Sequence, residues 1–132
     1  ISDVGLIIPD YEANASQTII DTIDPFIQII RDKKPDVPIL IMSKIRYARE
    51  TTGSEQYKHL ISNRDFQKDL VESRKAEGDN NIYFLDGSSI LGEDYFECTV
   101  DGVHPNDLGS MRIAEGLLEA IWSIFPDLQA KN

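Results

Sequence analysis

The sequence predicts an α/β fold organised round a parallel sheet. Short apolar runs alternate along the chain with longer stretches of helical period, the pattern of strands joined by crossover helices. One of those runs, Pro38–Ser43 (Pro-Ile-Leu-Ile-Met-Ser), is apolar on both faces, as parallel strands covered on both sides are. No internal repeat, low-complexity tract or linker interrupts the alternation.

Asp3–Ile8 is the first expected strand. From Ser16 onward Ile19, Ile20, Ile23, Phe26, Ile27 and Ile30 recur with helical period. Pro25 falls inside that stretch. With Asp24 as a cap and Pro25 at the first helical position, a short turn followed by a helix to about Lys33 is expected. Pro38–Ser43 is the second strand. Ser54 to Glu77 reads as a long helix with Tyr57, Leu60, Ile61, Leu70 and Val71 turned inward, stopped by Gly78. Asn81–Asp86 is the third strand, and Asp107–Phe125 the closing helix. Its expected buried stripe is Leu108, Met111, Ala114, Leu117, Leu118, Ile121, Trp122 and Phe125. Asp3–Ile8 should form the edge of the three-stranded sheet. An apolar strand in that position calls for a partner along its open side.

Composition narrows the partners. A chain of 132 residues with 41% hydrophobic and 27% charged residues has the balance of an ordinary globular protein, with enough chain to bury a core. Its net charge of −10 argues against nucleic acid and against anionic membrane surfaces, both of which would repel it. The single cysteine, Cys98, excludes an intrachain disulfide and a cysteine-rich zinc site. No apolar run approaches the ~20 residues that a bilayer span requires.

The most informative stretch is Asp101-Gly102-Val103-His104-Pro105-Asn106-Asp107-Leu108-Gly109. It holds one of the two histidines, with a carboxylate three residues before it. Asp101 can accept a hydrogen bond from one ring nitrogen and fix the tautomer, leaving the other as a general base. Pro105 disfavours a helical conformation at His104, Asn106 suits an N-cap, and Asp107 falls in the first turn, where the helix dipole favours a negative charge. A capped helix preceded by a surface turn that happens to contain a histidine fits the same spacing. The second histidine, His59, sits between Lys58 and Leu60 and reads as an exposed helical residue. Lys44–Arg49 leaves the end of a strand and reads as a solvated loop whose cations are within reach of a ligand. Glu97, Asp101, His104 and Asp107 form a set with metal-ligand chemistry, but the helix start already accounts for Asp107.

These nine residues resemble the last motif block of the SGNH (GDSL-type) esterase and acylhydrolase superfamily, which carries its catalytic acid and base as Asp-x-x-His. The resemblance implies that Asp101 and His104 are the acid and base of a Ser-His-Asp triad. Asp10-Tyr11-Glu12-Ala13-Asn14-Ala15-Ser16, after the first strand, is similar to a second block. There an Asn four residues past an Asp donates its amide to the oxyanion, a role it implies for Asn14. On local grounds alone Asn14 or Ser16 could equally be a helix cap. The resemblance further implies a flavodoxin-like three-layer fold and cleavage of small acyl esters, acetylated carbohydrates among them, with no metal or organic cofactor.

Two blocks of that superfamily have no counterpart in the sequence: the turn that supplies the nucleophilic serine and the one whose glycine completes the oxyanion hole. Ser2, Ser43, Ser88 and Ser89 do not stand where the family places its serine. The chain also opens on Ile1 and enters a strand at once. The expectation is therefore that residues 1–132 are the C-terminal part of a single SGNH-like domain. Its N-terminal strands would be missing, and its open edge would pair with the missing segment or with another chain. The competing expectation is a non-catalytic flavodoxin-like binding module.

Overall fold

The computed structural model describes residues 4–52 and 58–129. They form two compact units, one from residues 4–44 and 58–86 and one from residues 45–52 and 87–129.

The first unit is built on β1 (Ile39–Met42), every residue of which is buried. It pairs in parallel with β2 (Ile82–Leu85), Ile39 opposite Ile82 and Met42 opposite Leu85. On the other side of β1 lies the segment expected to be the first strand. Among the described residues it forms a single parallel bridge, Ile7 to Ile39, rather than a regular strand. Ile7 N–H donates to Pro38 O at 3.0 Å and Leu40 N–H to Ile7 O at 2.9 Å, while Met42 N–H reaches Pro9 O at 3.4 Å. Pro9 has no N–H with which to continue the ladder. Asp3, where that strand was expected to begin, is outside the described residues.

Two helices cover this sheet. After the one-turn helix α1 (Glu12–Ala15), α2 (Ile19–Lys33) is continuous, with Pro25 in its interior. The expected helix start at Asp24–Pro25 is therefore wrong. Ile19 and Ile23, before the proline, lie on the same stripe as Ile27, and all three are buried in the core with Val37, Ile39, Ile41, Val71 and Ile82. Burying two isoleucines contributes roughly 1.5–3 kcal/mol each, enough to offset the ~3 kcal/mol of an interior proline. Pro25 and Asp21, whose carbonyl loses its partner, both face solvent. Asp24 caps nothing; it pairs with Arg74, whose Nε donates to it at 2.6 Å.

The second helix, α3 (Lys58–Ala76), buries Leu60, Asn63, Gln67 and Val71. Ile61, expected to face inward, is 54% exposed, because the buried stripe runs through the two amides instead. Tyr57 is outside the described residues. The helix ends in a Schellman motif: Gly78, at φ 105°, donates to Lys75 O, and Asp79 N–H to Arg74 O. At the entry ends of both strands Arg31 gathers the chain. Its guanidinium bonds Asp79 through two nitrogens, at 2.7 and 3.0 Å, and the carbonyls of Val37 (2.7 Å) and Asn81 (3.1 Å).

The second unit comprises a 3₁₀ helix (Ala48–Thr52), α4 (Gly87–Ile90), a 3₁₀ turn (Tyr95–Cys98), α5 (Asp107–Ile124) and the short α6 (Pro126–Gln129). Its core is Leu91, Tyr95 and Cys98, with Ile45, Leu108 and Ile113 packed on it. The stripe expected on α5 is rotated. Met111 (52%) and Leu118 (43%) are exposed, as is Ala114, whereas Leu117, Ile121, Trp122 and Phe125 are half-buried. The inner face is marked by glycines: Gly109 lies against Cys98 O, and Gly116 against Ile90. Between them Arg112 bonds Leu91 O and Asp94, with Cys98 Sγ at 3.4 Å. Helix and loop approach too closely for a large apolar side chain to fit at those positions. No described helix is long and apolar enough to cross a membrane.

Candidate active site

His104 stands on a hairpin whose arms are fixed by a bridge between Thr99 and Pro105. Val100 N–H donates to His104 O at 2.9 Å and Asn106 N–H to Cys98 O at 3.0 Å, leaving Asp101, Gly102 and Val103 to turn the chain. Gly102 adopts φ 90°, a conformation costly for any residue with a Cβ. The far arm runs directly into α5, where the Asn106 side chain accepts from Gly109 N–H and donates to Glu97 O. The cap expected at Asn106 is thus observed, and His104 lies on a bend, outside any helix, as Pro105 requires.

Asp101 uses its two oxygens for different tasks. Oδ1 accepts the backbone N–H groups of Val103 (2.9 Å) and His104 (2.8 Å), which closes the turn. Oδ2 lies 2.7 Å from His104 Nδ1. The His104 backbone bond, then its ring, then the Val103 N–H hold the Asp101 carboxyl well below the usual carboxylate range. An ionised carboxylate can only accept, so Nδ1 carries a proton, and in the neutral ring Nε2 is the nitrogen that keeps the lone pair. The imidazole side chain is 74% exposed. An oriented, accessible imidazole whose Nδ1 is engaged by a carboxylate is equipped, with Nε2 unprotonated, to take a proton from a hydroxyl.

A brace behind the hairpin was not legible in the sequence. Arg49, in the segment expected to be a solvated loop, donates from Nη2 to Asp101 O at 2.9 Å and from its backbone to Gly102 O at 3.4 Å. Its neighbour Arg46 stacks over the Tyr95 ring at 3.9 Å. Only the cation-rich composition of Lys44–Arg49, at a strand exit, hinted at such a role.

Asn14 lies in the first unit, on α1, just past the segment that pairs with β1. It is exposed, and its side-chain amide has no hydrogen-bond partner among the described residues. It caps no helix: α1 begins at Glu12, and the N-cap of α2 is Thr18, not Ser16. Ser43 is fully buried at the exit of β1, and Ser88 and Ser89 lie within α4. Cys98 is fully buried, and His59 is exposed. Among the described residues no group of three or more His, Cys, Asp and Glu side chains is placed to hold a metal ion.

Known proteins resemble this chain in sequence and in fold. The profile of the GDSL-like lipase/acylhydrolase family matches residues 4–121. No curated protein matches the chain. Among solved structures, the chain is similar to a protein classed as a GDSL-like lipase from Bacteroides ovatus, at 29% identity and a TM-score of 0.82. That likeness covers 94% of this chain and 37% of the other. The salicylyl-acyltransferase SsfX3 from a tetracycline biosynthetic pathway has the same fold, with a TM-score of 0.68 at 22% identity, over 87% of this chain and 35% of that one. The chain therefore spans about a third of the length of the solved structures it matches. Its α/β fold with parallel strand pairing is that of these relatives, and the matched residues include both the Asn14 segment and the Asp101–His104 hairpin. The chain belongs to the GDSL-like lipase/acylhydrolase family.

Proposed function

We propose that the chain is the C-terminal part of a single SGNH-type domain and supplies the acid, the base and an oxyanion donor of a serine esterase. The observation that carries this reading is the 2.7 Å contact between Asp101 Oδ2 and His104 Nδ1, on a carboxylate already committed to the turn through its other oxygen. His104 Nε2 takes the proton of a serine hydroxyl as that oxygen attacks an ester carbonyl. Asp101 stays ionised and stabilises the imidazolium. The Asn14 amide donates to the oxyanion of the tetrahedral intermediate. Collapse of that intermediate expels the alcohol, which takes its proton from His104, and water repeats the sequence on the acyl-enzyme to release the acid.

The serine comes from outside these 132 residues, since Ser43 is buried and no serine of the chain stands in the family's position. The Val4–Pro9 segment pairs along its open side with a strand from the same source or from another chain. The substrate is a small acyl ester, with acetylated carbohydrate the leading class. Nucleic acid and membrane surfaces are not partners, in keeping with the charge of −10.

The test is turnover of an acetyl ester by the intact gene product and by residues 1–132 alone. The intact protein should be active, and His104→Ala should lower kcat by about 10⁴-fold or more, as loss of a triad member does. The 132 residues alone should be inactive. Turnover by the fragment that survives Ser43→Ala, Ser88→Ala and Ser89→Ala would reject the serine mechanism. So would an intact protein indifferent to His104→Ala.

A further inference from the structure

The short helix that carries Asn14 is held by buried polar side chains that the reaction scheme does not use. Glu12, at its start, is only 1% exposed. Its Oε2 accepts the backbone N–H of Lys44, just beyond β1, and the Nε2 amide of Gln67 on α3, both at 2.8 Å. At the other end, the Asn63 amide donates to Ser16 O at 2.7 Å. Gln67 also donates to Asn63 O, one helical turn back, at 3.2 Å. Asn63 and Gln67 are 2% and 1% exposed. The helix between these anchors has only four residues, too short to be stable by itself.

An acidic side chain buried this deeply is costly unless its bonds matter, and a mere spacer at this position would more cheaply be apolar. The second carboxyl oxygen, Oε1, is buried without a hydrogen-bond partner, so stability alone is a poor account of Glu12. What the bonds secure is a fixed relation between three elements: the Asn14 helix, the exit of β1 and α3. Asn14 itself is exposed and makes no side-chain bond among the described residues, so only the backbone that carries it can fix its amide.

We propose that Glu12 is a positioning residue, which with Gln67 and Asn63 clamps α1 so that the Asn14 amide is held ready to donate. This rests on the oxyanion role proposed for Asn14, and the experiment separates the two. In the intact protein, three variants are compared: Glu12→Ala, which removes the acceptor; Glu12→Gln, which keeps an acceptor oxygen; and Asn14→Ala. Backbone hydrogen exchange at Asn14 and Ala15, whose amides bond to Tyr11 O at 3.0 Å, reports the clamp without reference to activity. Exchange there should quicken at least tenfold in Glu12→Ala and stay near wild type in Glu12→Gln.

Turnover of an acetyl ester supplies the second reading. Asn14→Ala should lower kcat by ~10²-fold, as loss of one oxyanion donor does. Glu12→Ala should lower kcat by ~10-fold or more with KM within twofold. Glu12→Gln should restore it, and Glu12→Ala should add little in the Asn14→Ala background. If Glu12→Ala does not fold, Gln67→Met removes the donor to Oε2 and is judged by the same two readouts. Unchanged exchange at Asn14 and Ala15 overturns the clamp, as does a kcat loss that Glu12→Gln fails to restore. Quickened exchange with Asn14→Ala fully active leaves the clamp standing and rejects the oxyanion role.

Discussion

Replacing Gly109 with alanine sets two effects of opposite sign against each other. Gly109 is the third residue of α5, and alanine in place of glycine favours a helix by up to ~1 kcal/mol. A Cβ at this position, however, would fall inside the contact distance of Cys98 O and lie only 3.2 Å from both Cys98 C and Pro105 Cβ. Neither neighbour is a flexible side-chain end, so the start of α5 and the hairpin arm must separate by on the order of 1 Å to restore normal contact. Overpacking of this kind costs about 1–3 kcal/mol. The same separation stretches the 3.0 Å bond from Asn106 N–H to Cys98 O, worth about another 1 kcal/mol. Steric cost wins, and Gly109→Ala should lose ~1–3 kcal/mol in urea unfolding of the intact protein. Because the hairpin carries His104, a displacement of that size should also reduce turnover by about 10²-fold. Gly116→Ala is the control: its Cβ would meet the movable Ile90 side chain at 3.0 Å, and its effect should lie within ~1 kcal/mol of zero. A Gly109→Ala protein as stable as wild type, or more so, would refute the close approach.

Asp101 should impose a pH dependence on stability. Its carboxyl is held below the unfolded value of about 3.9, so the unfolded chain takes up the proton first as pH falls. The contribution is full above that value and disappears as pH drops toward the depressed folded one. Urea midpoints of wild type and Asp101→Asn should therefore differ at pH 6 and converge toward pH 2; a constant gap would refute the assignment. Gly102→Ala should destabilise the hairpin by ~1–3 kcal/mol, since it combines φ 90° with a Cβ 2.9 Å from Arg49 Cγ; near-neutral thermal unfolding would contradict this. Arg31→Met should cost roughly 3 kcal/mol in denaturant, because Asp79 and two strand-entry carbonyls lose their donor together; a change under ~1 kcal/mol would count against the cluster.

The parts of the fold legible in the sequence are those set by local pattern. β1 and β2 fall one residue inside the expected runs at each end, since continuous apolar stretches between turn residues leave little choice. The hairpin and the N-cap of α5 were legible because Gly102, Pro105 and Asn106 each restrict the backbone in a known way. What escaped is what long-range packing decides. Pro25 reads as a helix start until the burial of Ile19 and Ile23 is weighed against it. The inner face of α5 was placed on its large apolar residues, whereas close approach selects Gly109 and Gly116. Likewise no apolar pattern marks Asn63 and Gln67, which line the buried stripe of α3, and nothing local to Arg49 says that its guanidinium reaches a carbonyl 52 positions away.

The Arg31 cluster separates the first unit into two ends with different tolerance for change. Val37 and Asn81, whose carbonyls it binds, lie two residues before β1 and one before β2, so α2 and both strand entries are riveted at one pole. Asn14 and the exit of β1 lie at the opposite pole, beyond the far ends of those strands. Substitutions at the exit pole can therefore be sampled while the rivet keeps the strands in register. In a lineage drifting toward new substrates, or in a laboratory library, diversity belongs at the exit pole around Asn14 and Glu12 but not at them, and Arg31 and Asp79 are likewise left untouched.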